Sequence, residues 1–245
     1  MAVYAAREGD TILIYDSDYN ESIFLTKNLK FVGVGNPSLP DRLYYNGHSL
    51  SLSGFGFGPI SVSNMPDMNT VESDGVIYWF LKGNHFKSNK SNAEALVCYN
   101  KAIELDSSFV LALNKKAMVL MDMSRYEEAI YILDQAIAID AYWFSLWGNK
   151  GIAFYMLNRY DDAISAYDQV LELKPNSTSY MNLKGNALYS LGKYDDAIQA
   201  YDHALSINPQ FANAWKNKGA SLKALGRMAE SDAALAKAKE LENEA

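Results

Sequence analysis

The 245-residue chain reads as α+β in two consecutive segments: a small β-rich stretch over residues 1–75, then an all-α solenoid of helical hairpins over 76–245. Three observations predict this. Near-identical stretches recur 34 residues apart, a small residue recurs at one place in every period, and upstream of Val76 the helical pattern gives way to short β-type runs broken by Gly, Asn, Asp and Pro.

The β-type runs come first in the chain. They are Thr11–Tyr15, Ser22–Thr26, Leu29–Val34, Leu43–Tyr45 and Ser49–Ser53, the last alternating as a half-buried strand does. Gly33, Gly35, Gly54, Gly56 and Gly58 mark corners. The succession Glu8–Ile14, Tyr19–Leu25, Leu29–Gly35 resembles the opening of right-handed parallel β-helix domains of the NosD-like, pectate-lyase-like superfamily. That resemblance implies short strands stacked in coils. Residues 1–75 have room for two or three coils, a remnant or cap with no place for a lyase's carboxylate cluster. Open strand edges there make a homodimer through 1–75 an expectation. A second functional reading follows from the same resemblance: a carbohydrate-binding or surface protein whose β-helix-like part binds sugar while the helices serve as a stalk.

Downstream, Arg125–Leu133, Arg159–Tyr167 and Lys193–Tyr201 are near-copies at the 34-residue period. Extending the frame gives 76–109, 110–143, 144–177, 178–211 and 212–245 with no insertion. The first helix of each period opens at Trp79, Leu113, Trp147, Met181 or Trp215. A small residue follows four places on (Gly83, Ala117, Gly151, Gly185, Gly219), and a bulky one three beyond that (Phe86, Leu120, Phe154, Leu188, Leu222). Steps of four and three put these on one helical face, where the small residue lets a neighbouring helix approach closely. Turns are expected at Ser124, Asn158, Gly192 and Gly226. The second helix then presents Ala95, Ala129, Ala163, Ala197 or Ser231, followed four on by Tyr99, Leu133, Tyr167, Tyr201 or Leu235. Pro175 and Pro209 end the third and fourth periods, each lacking the N–H a continuing helix needs.

This pattern resembles the tetratricopeptide repeat, in five copies. The resemblance implies a right-handed superhelix of hairpins whose first helices line a concave groove that receives a peptide or a partner's helix. Carried onto this sequence, the groove holds Phe80, Asn84, Asn114, Met118, Met121, Ile152, Tyr155, Met156, Asn182, Asn186, Tyr189 and Lys216. Its ends are polar and its middle is apolar. Asn side chains are able to bond both N–H and C=O of an extended peptide, and Met repacks around different anchors. Family members that grip acidic C-termini use a clamp of Lys and Asn, then Asn, then Lys and Arg. Here the corresponding places hold Phe80 and Asn84, then Lys115, then Ser145 and Asn149. From the fourth repeat, Asn182, Asn186 and Asn217 match only in part. Strong binding of a free acidic C-terminus is not expected.

Charge and composition narrow the function further. Net charge is −7, with 4 basic and 9 acidic side chains in residues 1–75 and 18 and 20 in 76–245. No cluster of Lys and Arg offers itself to phosphates, so neither nucleic acid nor an anionic membrane surface is the expected partner. No apolar run is long enough to insert in a bilayer. His48, His85 and His203 are scattered, Cys98 is the lone cysteine, and Gly54–Gly58 leads into Pro59 without the Lys-Ser/Thr of a phosphate loop. The pairs Asp161-Asp162 and Asp195-Asp196 recur with the period early in a helix, where they suit the helix dipole. No catalytic residue, metal site or cofactor is therefore expected. The lone cysteine and the absence of a signal-peptide pattern point to a cytoplasmic protein, or an extracellular one if an upstream signal sequence is missing. The expected function is a non-catalytic scaffold that binds a protein or peptide in the groove.

Overall fold

The computed structural model describes residues 75–244 together with the backbone of four short strands upstream: β1 (Thr11–Tyr15), β2 (Lys30–Val34), β3 (Arg42–Tyr45) and β4 (His48–Ser51). β1 and β2 pair in parallel, from Thr11 with Lys30 to Tyr15 with Val34. β3 and β4 pair antiparallel, from Arg42 with Ser51 to Tyr45 with His48. They form two separate two-stranded ladders.

This corrects the expectation of an α+β chain with a parallel β-helix-like segment. A β-helix stacks strands in parallel from coil to coil, and the antiparallel ladder of β3 and β4 has no place in it. Nor does a pair of strands supply a face broad enough for a β layer of its own. The body of the described fold is all-α. The run Ser22–Thr26, the corners at Gly35, Gly54, Gly56 and Gly58, and the edges invoked for a homodimer lie outside the described residues.

Among the described residues ten helices follow: α1 (Val76–Ser88), α2 (Asn92–Leu105), α3 (Val110–Asp122), α4 (Tyr126–Ile139), α5 (Phe144–Met156), α6 (Tyr160–Leu173), α7 (Thr178–Ser190), α8 (Tyr194–Ile207), α9 (Ala212–Ala224) and α10 (Met228–Glu244). Each 34-residue window holds two. The chain divides into two compact units, Met1–Val119 and Leu120–Ala245.

The helix ends explain the regular turn. Asn158 sits in the left-handed region at φ 59°, which lets its N–H bond the Tyr155 carbonyl while the Arg159 N–H reaches back to Phe154, both at 2.9 Å. Gly192 (φ 75°) does the same for α7, with bonds to Tyr189 and, through Lys193, to Leu188. Ser124 and Gly226 are also left-handed, and so is Lys90, a residue type with no preference for such a turn. A side chain there crowds its own backbone. Lys90→Gly is expected to raise the unfolding free energy by about 1 kcal/mol, measured by urea denaturation.

In the first unit, the face of α1 that meets α2 is built on contact between Gly83 and Tyr99, where a Cβ would lie 2.6 Å from the ring's Cε1. Phe80, Leu81, Ala95 and Ala102 are buried with it, and Phe80 meets Phe109 edge-on at 5.2 Å. Cys98 is buried on α2, and burial raises its thiol pKa, so it packs as a small apolar group.

The second unit repeats the device. A Cβ on Gly151 would come 2.5 Å from Cε1 of Tyr167, one on Gly185 would collide with Tyr201, and one on Gly219 would lie 2.8 Å from Cγ of Leu235. Tyr167 and Tyr201 are 1 % exposed. A second regularity joins each second helix to the next first helix: Lys150–Asp134, Lys184–Asp168 and Lys218–Asp202, each at 2.6 Å. The Trp147 and Trp215 indole N–H groups donate to Ala141 and Pro209 carbonyls at 2.9 and 2.8 Å, tying each helix to the turn before it.

Burial holds the Tyr167 and Tyr201 phenols far above the ordinary tyrosine pKa, with neighbouring tyrosines adding to the effect. The folded state therefore keeps protons that the unfolded chain releases near pH ~10. Their contribution to stability is present below that pH and lost as pH rises above it. Raising the pH from about 9 to about 11.5 should lower the denaturation midpoint. Tyr167→Phe and Tyr201→Phe together should flatten that dependence, read by circular dichroism.

Candidate functional site

Three first helices of the second unit, α5, α7 and α9, lie side by side. Tyr155 Oη of α5 is 3.3 Å from Ser190 Oγ of α7. From α9, the Asn217 amide donates to Asn182 Oδ1 at 3.0 Å and to Asn186 Oδ1 at 2.9 Å on α7. The helix spacing that puts Asn182, Asn186 and Tyr189 on one face of α7 follows from steps of four and three. The opposite pressure comes from Gly185, one residue from Asn186, which is pressed onto the ring of Tyr201 and fixes how α7 is turned.

The predicted residues separate by burial and by what they touch. In the second unit Met156 is 50 % exposed, Tyr189 is 38 % exposed, and Lys216 is exposed. These stand open to solvent. Met121, Ile152 and Tyr155 are half-buried and pack on the cluster formed by Ile130, Ala153, Phe154 and Tyr167. Tyr155 meets Tyr160 at 5.3 Å and Tyr189 meets Tyr194 at 5.3 Å, so each ring is braced by the first residue of the helix that follows.

Asn182 is buried at 8 % exposure and Asn186 is half-buried. Asn186 Oδ1 also accepts from the Tyr201 hydroxyl at 2.9 Å. The three amides therefore first serve each other. Asn217 spends both of its amide N–H bonds on these two partners, which leaves the amide N–H groups of Asn182 and Asn186 outside the cluster. In the first unit the same part is played by Asn84, 8 % exposed, whose Oδ1 accepts from the Tyr99 hydroxyl at 2.7 Å while its Nδ2 has no hydrogen-bond partner among the described residues. Phe80 and Asn114 are buried in that unit, and Met118 is half-buried. Phe80 is core.

Two contributors are not evident from the sequence pattern. Asn217 enters that pattern only as part of an incomplete clamp, yet it links α9 to α7. Tyr180 of α7 fills the space above Gly148 of α5, a place on the first helix where the other repeats carry Phe80, Asn114, Asn182 or Lys216. The signal for it is there: a glycine stands at this place only in the third repeat, and the bulk that fills the gap comes from the next first helix. Among the described residues no group of acidic, His or Cys side chains is arranged to hold a metal, and no helix is long and apolar enough to cross a membrane.

Comparison with known proteins agrees with this architecture. Models described as tetratricopeptide repeat match residues 76–109, 110–142 and 144–177, and a model described as TPR repeat matches 185–226. Together they cover more than half of the chain. A curated relative, the Protein STIP1 homolog of Dictyostelium discoideum, is 48% identical over 48 residues, which is 20% of this chain and 8% of the relative. The aligned part is thus a small piece of that protein. Among solved structures, a crystal structure of MamA is 25% identical with a TM-score of 0.63, over 66% of this chain and 95% of MamA. YrrB, described as a TPR protein with an unusual peptide-binding site, is 23% identical with a TM-score of 0.60, over 70% of this chain and 89% of its own. The latter likeness speaks to fold. Neither the β-helix resemblance nor the carbohydrate reading drawn from it finds support among these matches.

Proposed function

Because this chain belongs to the tetratricopeptide-repeat family, whose members of this kind are protein-interaction scaffolds, we propose that the face shared by α5, α7 and α9 receives an extended peptide segment of a partner protein. The reading rests on one observation above the others. Apolar surface at Met156 and Tyr189 stands exposed beside the half-buried Tyr155, on helices whose Leu146, Ala153, Phe154, Met181, Ala187 and Leu188 are buried in packing.

The chemistry suits an extended chain. Asn182 and Asn186 of α7 are held by Asn217 and, for Asn186, by Tyr201 as well, so their own amide N–H groups need little ordering on binding. Flexible Met156 adapts to the shape of an apolar anchor, and the tyrosine rings stack on it at low entropic cost. No step of this function requires bond making or breaking.

Selection from a random peptide library displayed on phage, with the full chain as bait, tests the proposal. Enriched sequences should share one or two apolar anchors and lose at least about tenfold in affinity to a Tyr155→Asp, Met156→Asp variant that keeps its helical circular dichroism. Equal binding by the folded variant would move the binding surface elsewhere.

A further inference from the structure

Charge is distributed unevenly between the two helices of each hairpin in the second unit. α5, α7 and α9 contain no Asp or Glu, although the whole chain carries a net charge of −7. The acids lie on the second helices: Asp161, Asp162, Asp168 and Glu172 on α6, and Asp195, Asp196 and Asp202 on α8. Of the lysines on the first helices, Lys150, Lys184 and Lys218 are neutralised by Asp134, Asp168 and Asp202. Lys216 and Lys223 are not. Both are exposed on α9, seven residues apart and so on one helical face, with no hydrogen bond or ion pair to a described residue.

From these observations we infer that the peptide received by this face is acidic, with carboxylate side chains near Lys216 and Lys223 and an apolar anchor at Tyr155, Met156 and Tyr189. The inference rests on the peptide-binding reading and adds the partner's chemistry to it. Attraction to a face free of like charge steers such a segment and rejects a basic one, since the acids of α6 and α8 are on helices behind it. Neighbouring packed helices lie about 8–10 Å apart, so the two steps from α5 to α9 span about 16–20 Å. An extended chain rising about 3.3 Å per residue covers that in about five or six residues. The occupant is therefore an internal segment with anchor and acids about that far apart, and a free C-terminal carboxylate is not needed.

The test uses the full chain and a fluorescein-labelled synthetic peptide, amide-blocked at its C-terminus, carrying Leu-Phe, a Gly/Ser spacer of about four residues and Glu-Glu, in both sequence orders. Companion peptides replace Glu-Glu by Gln-Gln or Lys-Lys. By fluorescence anisotropy the Glu peptide should bind about tenfold tighter than the Gln peptide and the Lys peptide weakest, with the advantage shrinking as salt is raised. Lys216→Glu with Lys223→Glu should reverse the order of the Glu and Lys peptides. Equal affinities for all three, still lost with Tyr155→Asp, would overturn the acidic preference and leave the groove reading standing. Binding of none in either order would overturn both.

Discussion

Tyr167→Ala should lower the unfolding free energy by about 3–5 kcal/mol, and in that background Gly151→Ala should change sign from harmful to helpful. In the parent, a Cβ at position 151 would lie 2.5 Å from Cε1 and 2.7 Å from Cδ1 of Tyr167, far inside van der Waals contact. The ring cannot step aside: it is 1 % exposed and flanked by Tyr180 at 6.2 Å between centroids. Two effects compete in the parent. Ala is favoured over Gly in a helix by about 1 kcal/mol, while forcing a methyl group into a filled core costs about 1–3 kcal/mol. Because the obstacle is a rigid buried ring, strain wins and a net loss of about 1–2 kcal/mol is expected. Once the ring is gone only the helix preference remains, and Gly151→Ala should gain about 1 kcal/mol. Urea denaturation of the two singles and the double measures the cycle. Additive effects would mean that the ring and the glycine are not in the contact described.

This coupling is legible in the amino-acid sequence, because the chain contains its own comparison. Gly83, Gly151 and Gly185 accompany Tyr99, Tyr167 and Tyr201, whereas the second repeat has Ala117 with Leu133. A smaller partner at the second place goes with a larger residue at the first. The fifth repeat departs from the rule, with Gly219 facing Leu235, and there Leu235 is 38 % exposed and free to spread over the glycine.

Other features are hidden for reasons of physics. The lysine–aspartate pairs join residues 16 apart across two helices, and no local period announces them. Their stabilising value is small at partly exposed sites, so neither composition nor hydrophobic pattern depends on them. Lys90 takes a left-handed turn because the helices on either side demand it, overriding its own preference. The β-type runs upstream mislead for the converse reason: alternation and glycine corners report local strand tendency, while parallel or antiparallel pairing is decided by where the chain returns. Only two residues separate β3 from β4 in the sequence, and so short a connection gives an antiparallel ladder.

The face itself is only half legible. Position along the helix selects Tyr155, Met156, Asn182, Asn186 and Tyr189 on first helices, and burial divides them into exposed and half-buried or buried side chains. An asparagine in a sequence is equally able to bind a peptide or brace another asparagine. Asn182 and Asn186 brace, each with an Oδ1 already accepting from Asn217.

That division can be measured through Asn217→Leu, expected to cost about 1–3 kcal/mol in unfolding free energy. The substitution removes the donor from Asn182 Oδ1, and Asn182 is only 8 % exposed, so water reaches the stranded acceptor poorly. Asn186 is less affected because its Oδ1 keeps the Tyr201 hydroxyl. Removing both members of the buried pair is a different matter from removing one. Asn182→Leu with Asn217→Leu should recover most of the loss, since no polar atom of that pair is then left without a partner. Peptide affinity separates bracing from recognition in the same variants. If the amides act by holding α7 and α9 in register, the stable double variant binds nearly as well as the parent while Asn217→Leu alone binds worse. If their N–H groups meet the peptide backbone, the double variant folds yet loses about tenfold or more in affinity, and stability and binding part company. Titration of one selected peptide against the three proteins, beside their denaturation curves, decides between an amide cluster that carries the face and one that reads the ligand.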